Sequence, residues 1–116
     1  ELLQTWEAQT KILTLYSLPE QIQLSDEAQQ TIFRVTQESL ANIAKHSGAT
    51  KVNFALAVSK DKMVLEIRDN GRGFDAKVQH GGIGLRSMHE RVEEAGGALS
   101  VGSSKEGSVV KVEMKL

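Results

Sequence analysis

Apolar positions recur along this chain with two periods, and the switches between them mark the elements. KVNFALAV sets Val52, Phe54, Leu56 and Val58 at alternate positions, between smaller or polar residues. KMVLEIRD repeats the alternation, with Met63, Leu65 and Ile67 on one face and Val64, Glu66 and Arg68 on the other. A two-residue period predicts strands with one buried face, and SKDK between them predicts the turn. From Ser25 to about His46 the period lengthens. Ile32, Thr36, Leu40 and Ile43 fall on one side at helical spacing. Ser25 reads as the N-cap, Asp26 and Glu27 suit the positive first turn, and Gly48 ends the run. Glu1 to Gln9 reads as the end of a helix with Leu2, Leu3 and Trp6 near one face, followed by a strand in KILTLYS that Pro19 breaks. A last helix is predicted from about Ile83 to Ala95, with Leu85, Met88, Val92 and Ala95 on one stripe and Gly96-Gly97 as its stop. Closing strands near Ala98–Ser103 and Ser108–Leu116 form a hairpin around KEG.

This order predicts an α+β fold, a two-layer sandwich in which a mixed, largely antiparallel sheet of about five strands carries about three helices on one face. At 116 residues, without repeats or linkers, the chain suits one domain over residues 1–116. Hydrophobic residues at 40% and charged residues at 25% match a soluble globular protein. The net charge of −1 gives no global pull toward nucleic acid or a bilayer, so any bound anion must be held by local groups. With no cysteine, disulfides and thiolate metal sites are excluded. No apolar run is long enough for a membrane span, and no signal peptide is read. The opening residues read as a helix already under way, as in a piece of a longer protein.

Five of the ten glycines fall between Arg68 and Met88, in RDNGRGFDAKVQHGGIGLRSM. Asp69 continues the parity of Met63, Leu65 and Ile67, so its carboxylate faces the core side, where it needs a partner. One reading is a turn aspartate ahead of Asn-Gly. The other is an acceptor for an amino group at the mouth of a pocket. Adenine's 6-amino group suits it, whereas guanine would set a carbonyl against it. Gly71 and Gly73 follow directly, and Gly81, Gly82 and Gly84 run into the next helix. A helix N-terminus offers free N–H groups to phosphate, and glycines let backbone approach it. The spacing fits neither a dinucleotide-binding fingerprint nor a Walker loop. On the long helix, Glu38, Asn42 and His46 lie at i, i+4 and i+8, with Lys45 beside them. They read either as a solvated face or as ligands. An amide oxygen suits Mg²⁺, and Lys45 suits a phosphate. His46 reads as a phosphate contact or a C-terminal cap cation. His89 in MHERV reads as an exposed helix residue.

QESLANIAKH, RDNGRGF and GGIGLRSMHERV, in this order and spacing, resemble the ATP-binding catalytic domain of sensor histidine kinases. Within that family they resemble the subfamily whose regulators carry a helix-turn-helix domain, which includes nitrate, membrane-fluidity and cell-wall-stress sensors. The likeness covers essentially the whole chain and implies the Bergerat ATP-binding fold, with ATP and Mg²⁺ as ligands. It implies that Asn42 is the magnesium ligand and, with Glu38 one turn before it, a catalytic residue. Lys45 and His46 match the basic pair, and Asp69, Gly71 and Gly73 match the adenine-reading Asp-x-Gly-x-Gly. Gly82, Gly84 and Leu85 match the second glycine motif beneath the phosphates. Ser108, after Gly107, stands where the family has a threonine after a richer glycine run. Only Asp75 to Gly81 lie between GRGF and the Gly82–Gly84 motif, a short lid. The implied reaction moves the γ-phosphate to a histidine on a separate dimerisation domain of the same kinase, with a response regulator downstream and no direct contact with nucleic acid. None of His46, His80 or His89 has the setting of that acceptor. A monomeric piece of a homodimeric parent is expected, in the cytoplasm, with the parent anchored in the bacterial inner membrane. The alternatives are an anti-sigma-factor serine kinase and a non-catalytic nucleotide-sensing module.

Overall fold

The computed structural model describes residues 2–19, 24–71, 85–104 and 106–115. Along the chain run α1 (Leu2–Thr10), β1 (Leu13–Ser17), α2 (Asp26–Asn42), β2 (Lys51–Val58), β3 (Lys62–Asp69), α3 (Leu85–Glu94), β4 (Gly97–Ser104) and β5 (Gly107–Lys115). The strands form one sheet in the order β1-β2-β3-β5-β4. Only β1–β2 is parallel, and the other three pairings are antiparallel. The α+β, largely antiparallel architecture expected from the periodicity is therefore present.

Local chemistry sets the boundaries. Ser25 Oγ accepts the Ala28 N–H at 3.1 Å and caps α2, with Asp26 and Glu27 in its first turn. α1 closes where Lys11 takes a left-handed φ of 63° and its N–H reaches the Glu7 carbonyl at 2.9 Å. β1 consequently starts at Leu13 rather than at Lys11. α2 does not run uniformly to His46. After Asn42 it widens into one π-helical turn, Ile43–Ser47, closed by Gly48 at φ 67°. Such turns are rare and gather at functional sites.

The parity of β2 and β3 is as expected. Val52, Phe54 and Leu56 are buried, and so are Met63, Leu65, Ile67 and Asp69. They join Val110, Val112 and Met114 of β5, Val35 and Leu40 of α2, and Met88 and Val92 of α3 in one core. Each such large side chain is worth about 1.5–3 kcal/mol when fully buried. The buried stripe of α2 is wider than Ile32, Thr36, Leu40 and Ile43. It takes in Ala28, Thr31, Val35 and Ser39, while Ile32 is half-buried. α2 is wedged between the sheet and α3, so it needs two apolar flanks, and small residues let α3 approach. Ser39 Oγ lies 3.8 Å from Met88 Sδ. Polar alternates occupy the opposite face of the sheet, where Arg68 pairs with Glu66 at 2.9 Å, and Lys62 and Lys111 each reach Glu113 at 3.4 Å. No described helix is long and apolar enough to cross a membrane.

Candidate functional site

Asp69 ends β3, opposite Val52 of β2 and Ser108 of β5. Three adjacent strands therefore set its side chain, which is 4% exposed. A carboxylate this deep requires donors, and it has them. The Gly71 N–H donates to Oδ1 at 2.8 Å, and the Ser108 hydroxyl makes a short hydrogen bond to Oδ2. Each carboxylate oxygen has two acceptor sites, so both keep capacity for a further donor. The carboxylate is a buried acceptor at the rim of the core, and its bond to the Gly71 N–H is at the same time the Asx-turn contact expected of an aspartate ahead of Asn-Gly.

Gly107 makes this proximity possible. Its φ is 138°, and a Cβ there would lie 2.0 Å from the Asp69 carbonyl oxygen and 3.2 Å from Asn70 Cα. Only glycine lets the β4–β5 hairpin come so close to the end of β3. A cleft of about 320 Å³ opens at this junction, bordered by Arg68, Asp69, Glu106, Gly107 and Ser108. A second hollow, about 390 Å³, lies between the first two helices and β2, among Leu2, Leu3, Ile32, Phe33 and Phe54. Among the described residues no titratable group lines it.

The other candidates lie on α2 and the π-helical turn. α3 runs back along α2. Met88 meets Ser39, while Glu94 and Ala95 lie beside Glu27 and Thr31. The first turn of α3 is thus directed toward the C-terminal half of α2, which carries Glu38 and Asn42. Glu38 lines a narrow cleft between these helices with Arg34, Gln37, Ser87 and Arg91. Asn42 is half-buried on the last turn of α2, and Lys45 is exposed on the π-helical turn. Gly73, Gly82 and Gly84 lie outside the described residues, as do the side chains of His46 and Leu85.

Of the expected site residues, the fold brings Asp69, Gly71 and Ser108 into direct contact and sets Glu38 and Asn42 on one helix beside α3. Among the described residues no group of three or more His, Asp or Glu side chains could hold a metal. Sequence reasoning missed Asn70, treated as a turn residue. Its Oδ1 accepts the N–H groups of Thr50 at 2.9 Å and Lys51 at 3.0 Å, and its Nδ2 donates to Thr50 Oγ1 at 3.1 Å.

Comparison with known proteins adds relatives to this geometry. The family described as "Histidine kinase-, DNA gyrase B-, and HSP90-like ATPase" matches residues 27–116. The sensor histidine kinase LiaS of Bacillus subtilis is 37% identical over 94 residues, which is 80% of this chain and 26% of LiaS. The sensor protein VraS of Staphylococcus haemolyticus is 38% identical over 86 residues, 72% of this chain and 24% of VraS. The chain thus spans about a quarter of the length of these curated relatives. Among solved structures, the histidine kinase domain of the Erythrobacter litoralis EL346 blue-light activated kinase superposes with a TM-score of 0.84 at 18% identity, covering 97% of this chain and 57% of that one. Acinetobacter baumannii histidine kinase AdeS gives 0.80 at 19%, covering 98% and 59%.

Proposed function

The chain belongs to the histidine kinase-, DNA gyrase B- and HSP90-like ATPase family, and from that premise we propose that it is the Mg·ATP-binding catalytic domain of a two-component sensor histidine kinase. The observation that carries this reading is the buried Asp69 carboxylate, fixed by Gly71 and Ser108 with acceptor capacity left over. Adenine's 6-amino group donates to it. A guanine carbonyl would set an acceptor against the carboxylate's remaining acceptor sites, at a cost of about 1–3 kcal/mol.

From the purine the triphosphate extends toward the first turn of α3 and the end of α2. Asn42 would hold Mg²⁺ through its amide oxygen, and the cation would supply charge neutralisation on the phosphate chain. By the resemblance, Lys45 and His46 would contact the phosphates, Gly73, Gly82, Gly84 and Leu85 would belong to the glycine motifs beneath them, and Glu38 would add a carboxylate one turn before Asn42. Phosphoryl transfer through a loose transition state needs alignment and charge stabilisation more than covalent help. An imidazole nitrogen of the acceptor histidine attacks the γ-phosphorus, the bond to the β–γ bridging oxygen breaks, and ADP leaves. The acceptor sits on a dimerisation domain of the same kinase, and a response regulator takes the phosphoryl group next. The domain works in the cytoplasm, as a monomer in isolation and as half of a homodimer in a membrane-anchored parent.

The test combines calorimetry with phosphoryl transfer. The 116 residues should bind Mg·ATP, prefer it to Mg·GTP, and gain no label from γ-labelled ATP. They should label an added histidine-bearing dimerisation domain of the parent. Label on a serine of a partner would point to an anti-sigma-factor kinase, and binding without any transfer to a sensing module.

A further inference from the structure

The nucleotide reading uses Asp69 and leaves its neighbour without a task, yet among the described residues the Asn70 side chain makes three hydrogen bonds. Its Oδ1 accepts two consecutive backbone amides, Thr50 at 2.9 Å and Lys51 at 3.0 Å, and its Nδ2 donates to Thr50 Oγ1 at 3.1 Å. Its own N–H donates to the Lys51 carbonyl at 3.2 Å. Residues 50 and 51 form a junction. The Thr50 carbonyl also accepts the Leu13 N–H at 3.0 Å, at the start of β1. Lys51 opens β2, and directly upstream lie Gly48 and the π-helical turn with Lys45.

We propose that Asn70 is a positioning residue that sets the distance between the purine end and the phosphate end of the nucleotide site. The proposal rests on the reading of Asp69 as the purine acceptor and of Lys45 as a phosphate contact. Asp69 does not depend on Asn70, because its own strand pairs with β2 and β5 and its oxygens are held by Gly71 and Ser108. The segment after the π-helical turn does depend on it. Without the Asn70 amide, the Thr50 N–H and hydroxyl and the Lys51 N–H lose their shared partner at the end of β3. The junction then relaxes, and the turn bearing Lys45 relaxes with it. A ligand touching only the purine end would not register this change. A ligand spanning both ends would.

The experiment titrates adenosine and Mg·ATP into the wild-type chain and into Asn70→Ala, Asn70→Asp and Thr50→Val by calorimetry, at a temperature where thermal melts show each protein folded. Asn70→Ala should weaken Mg·ATP about tenfold and leave adenosine within about twofold. Asn70→Asp keeps acceptors for both amides and accepts the Thr50 hydroxyl, so it should restore Mg·ATP binding to within about threefold of wild type. A purely structural role would weaken both ligands by one factor, or neither, and would overturn the proposal, as would an Asn70→Asp protein that binds as poorly as Asn70→Ala. If Asn70→Ala fails to fold, Thr50→Val decides. It removes one of the hydrogen bonds and should cost Mg·ATP about two- to threefold with adenosine unchanged, and equal loss for both ligands overturns the proposal. A wild-type chain that binds neither ligand removes the nucleotide reading itself, whereas wild-type binding matched by Asn70→Ala removes only the positioning role.

Discussion

The two ends of the candidate site are built from different materials. At the purine end the carboxylate of Asp69 is fixed by strands on both sides, by a backbone amide and by a hydroxyl, and it is 4% exposed. At the phosphate end Glu38 and Lys45 are exposed and Asn42 is half-buried, carried by the end of a helix and a π-helical turn. A preorganised acceptor loses little freedom when it binds, so it discriminates well. Exposed cations gain most of their order from the ligand and act mainly through charge. On the proposed reading, base identity is read by the sheet, while the phosphates are met by more exposed groups.

The contrast can be broken from the rigid side first. Gly107→Ala places a methyl 2.0 Å from a backbone oxygen at a φ of 138°. The hairpin should move away from β3, with a loss of about 3 kcal/mol in thermal unfolding and no measurable nucleotide binding. Asp69→Asn keeps an acceptor for Gly71 but presents an amide to the purine amino group. Calorimetry should show about a 100-fold loss of ATP affinity, equivalent to ~3 kcal/mol, with an unchanged circular dichroism spectrum. Lys45→Ala, at the exposed end, should cost only about three- to tenfold at low salt and less as ionic strength rises. A salt-independent loss would mean that Lys45 is as preorganised as Asp69.

The smallest effect lies outside the site. Hydrogen bonding and charge from Lys62, followed by Lys111, hold the Glu113 carboxyl below its ordinary value of 4.5. A carboxyl lowered on folding adds stability above that value, and the contribution fades as pH falls through the folded-state value. Glu113→Gln should therefore flatten the acid limb of the stability profile slightly and leave ATP affinity unchanged at neutral pH. The group is half-exposed, and the pairs are solvent-screened.

How much of this was legible in the sequence follows the range of the interactions. The parity of β3 placed Asp69 on the core face because alternation is a local rule, and Ser25 and Gly48 marked the ends of the long helix for the same reason. The β4–β5 hairpin was visible from its turn, although Gly107 was noticed only as a depleted glycine motif. Its close approach to the Asp69 carbonyl is set by strand pairing across 38 residues, which no local pattern encodes. Asn70 was read as half of a turn because its partners are 19 and 20 residues upstream. The π-helical turn was missed because one widened turn leaves the apolar period almost unchanged.

The order of the strands also constrains how the protein is made. β5 lies between β3 and β4 in the sheet, yet a ribosome synthesises it after every other described element. A nascent chain therefore carries Asp69 in an open-edged sheet, without its Ser108 partner, until the closing strand emerges and inserts. On the proposed reading, capture of nucleotide would then wait on the insertion of β5, and bound nucleotide would stabilise chains in which β5 is in place over those in which it is not.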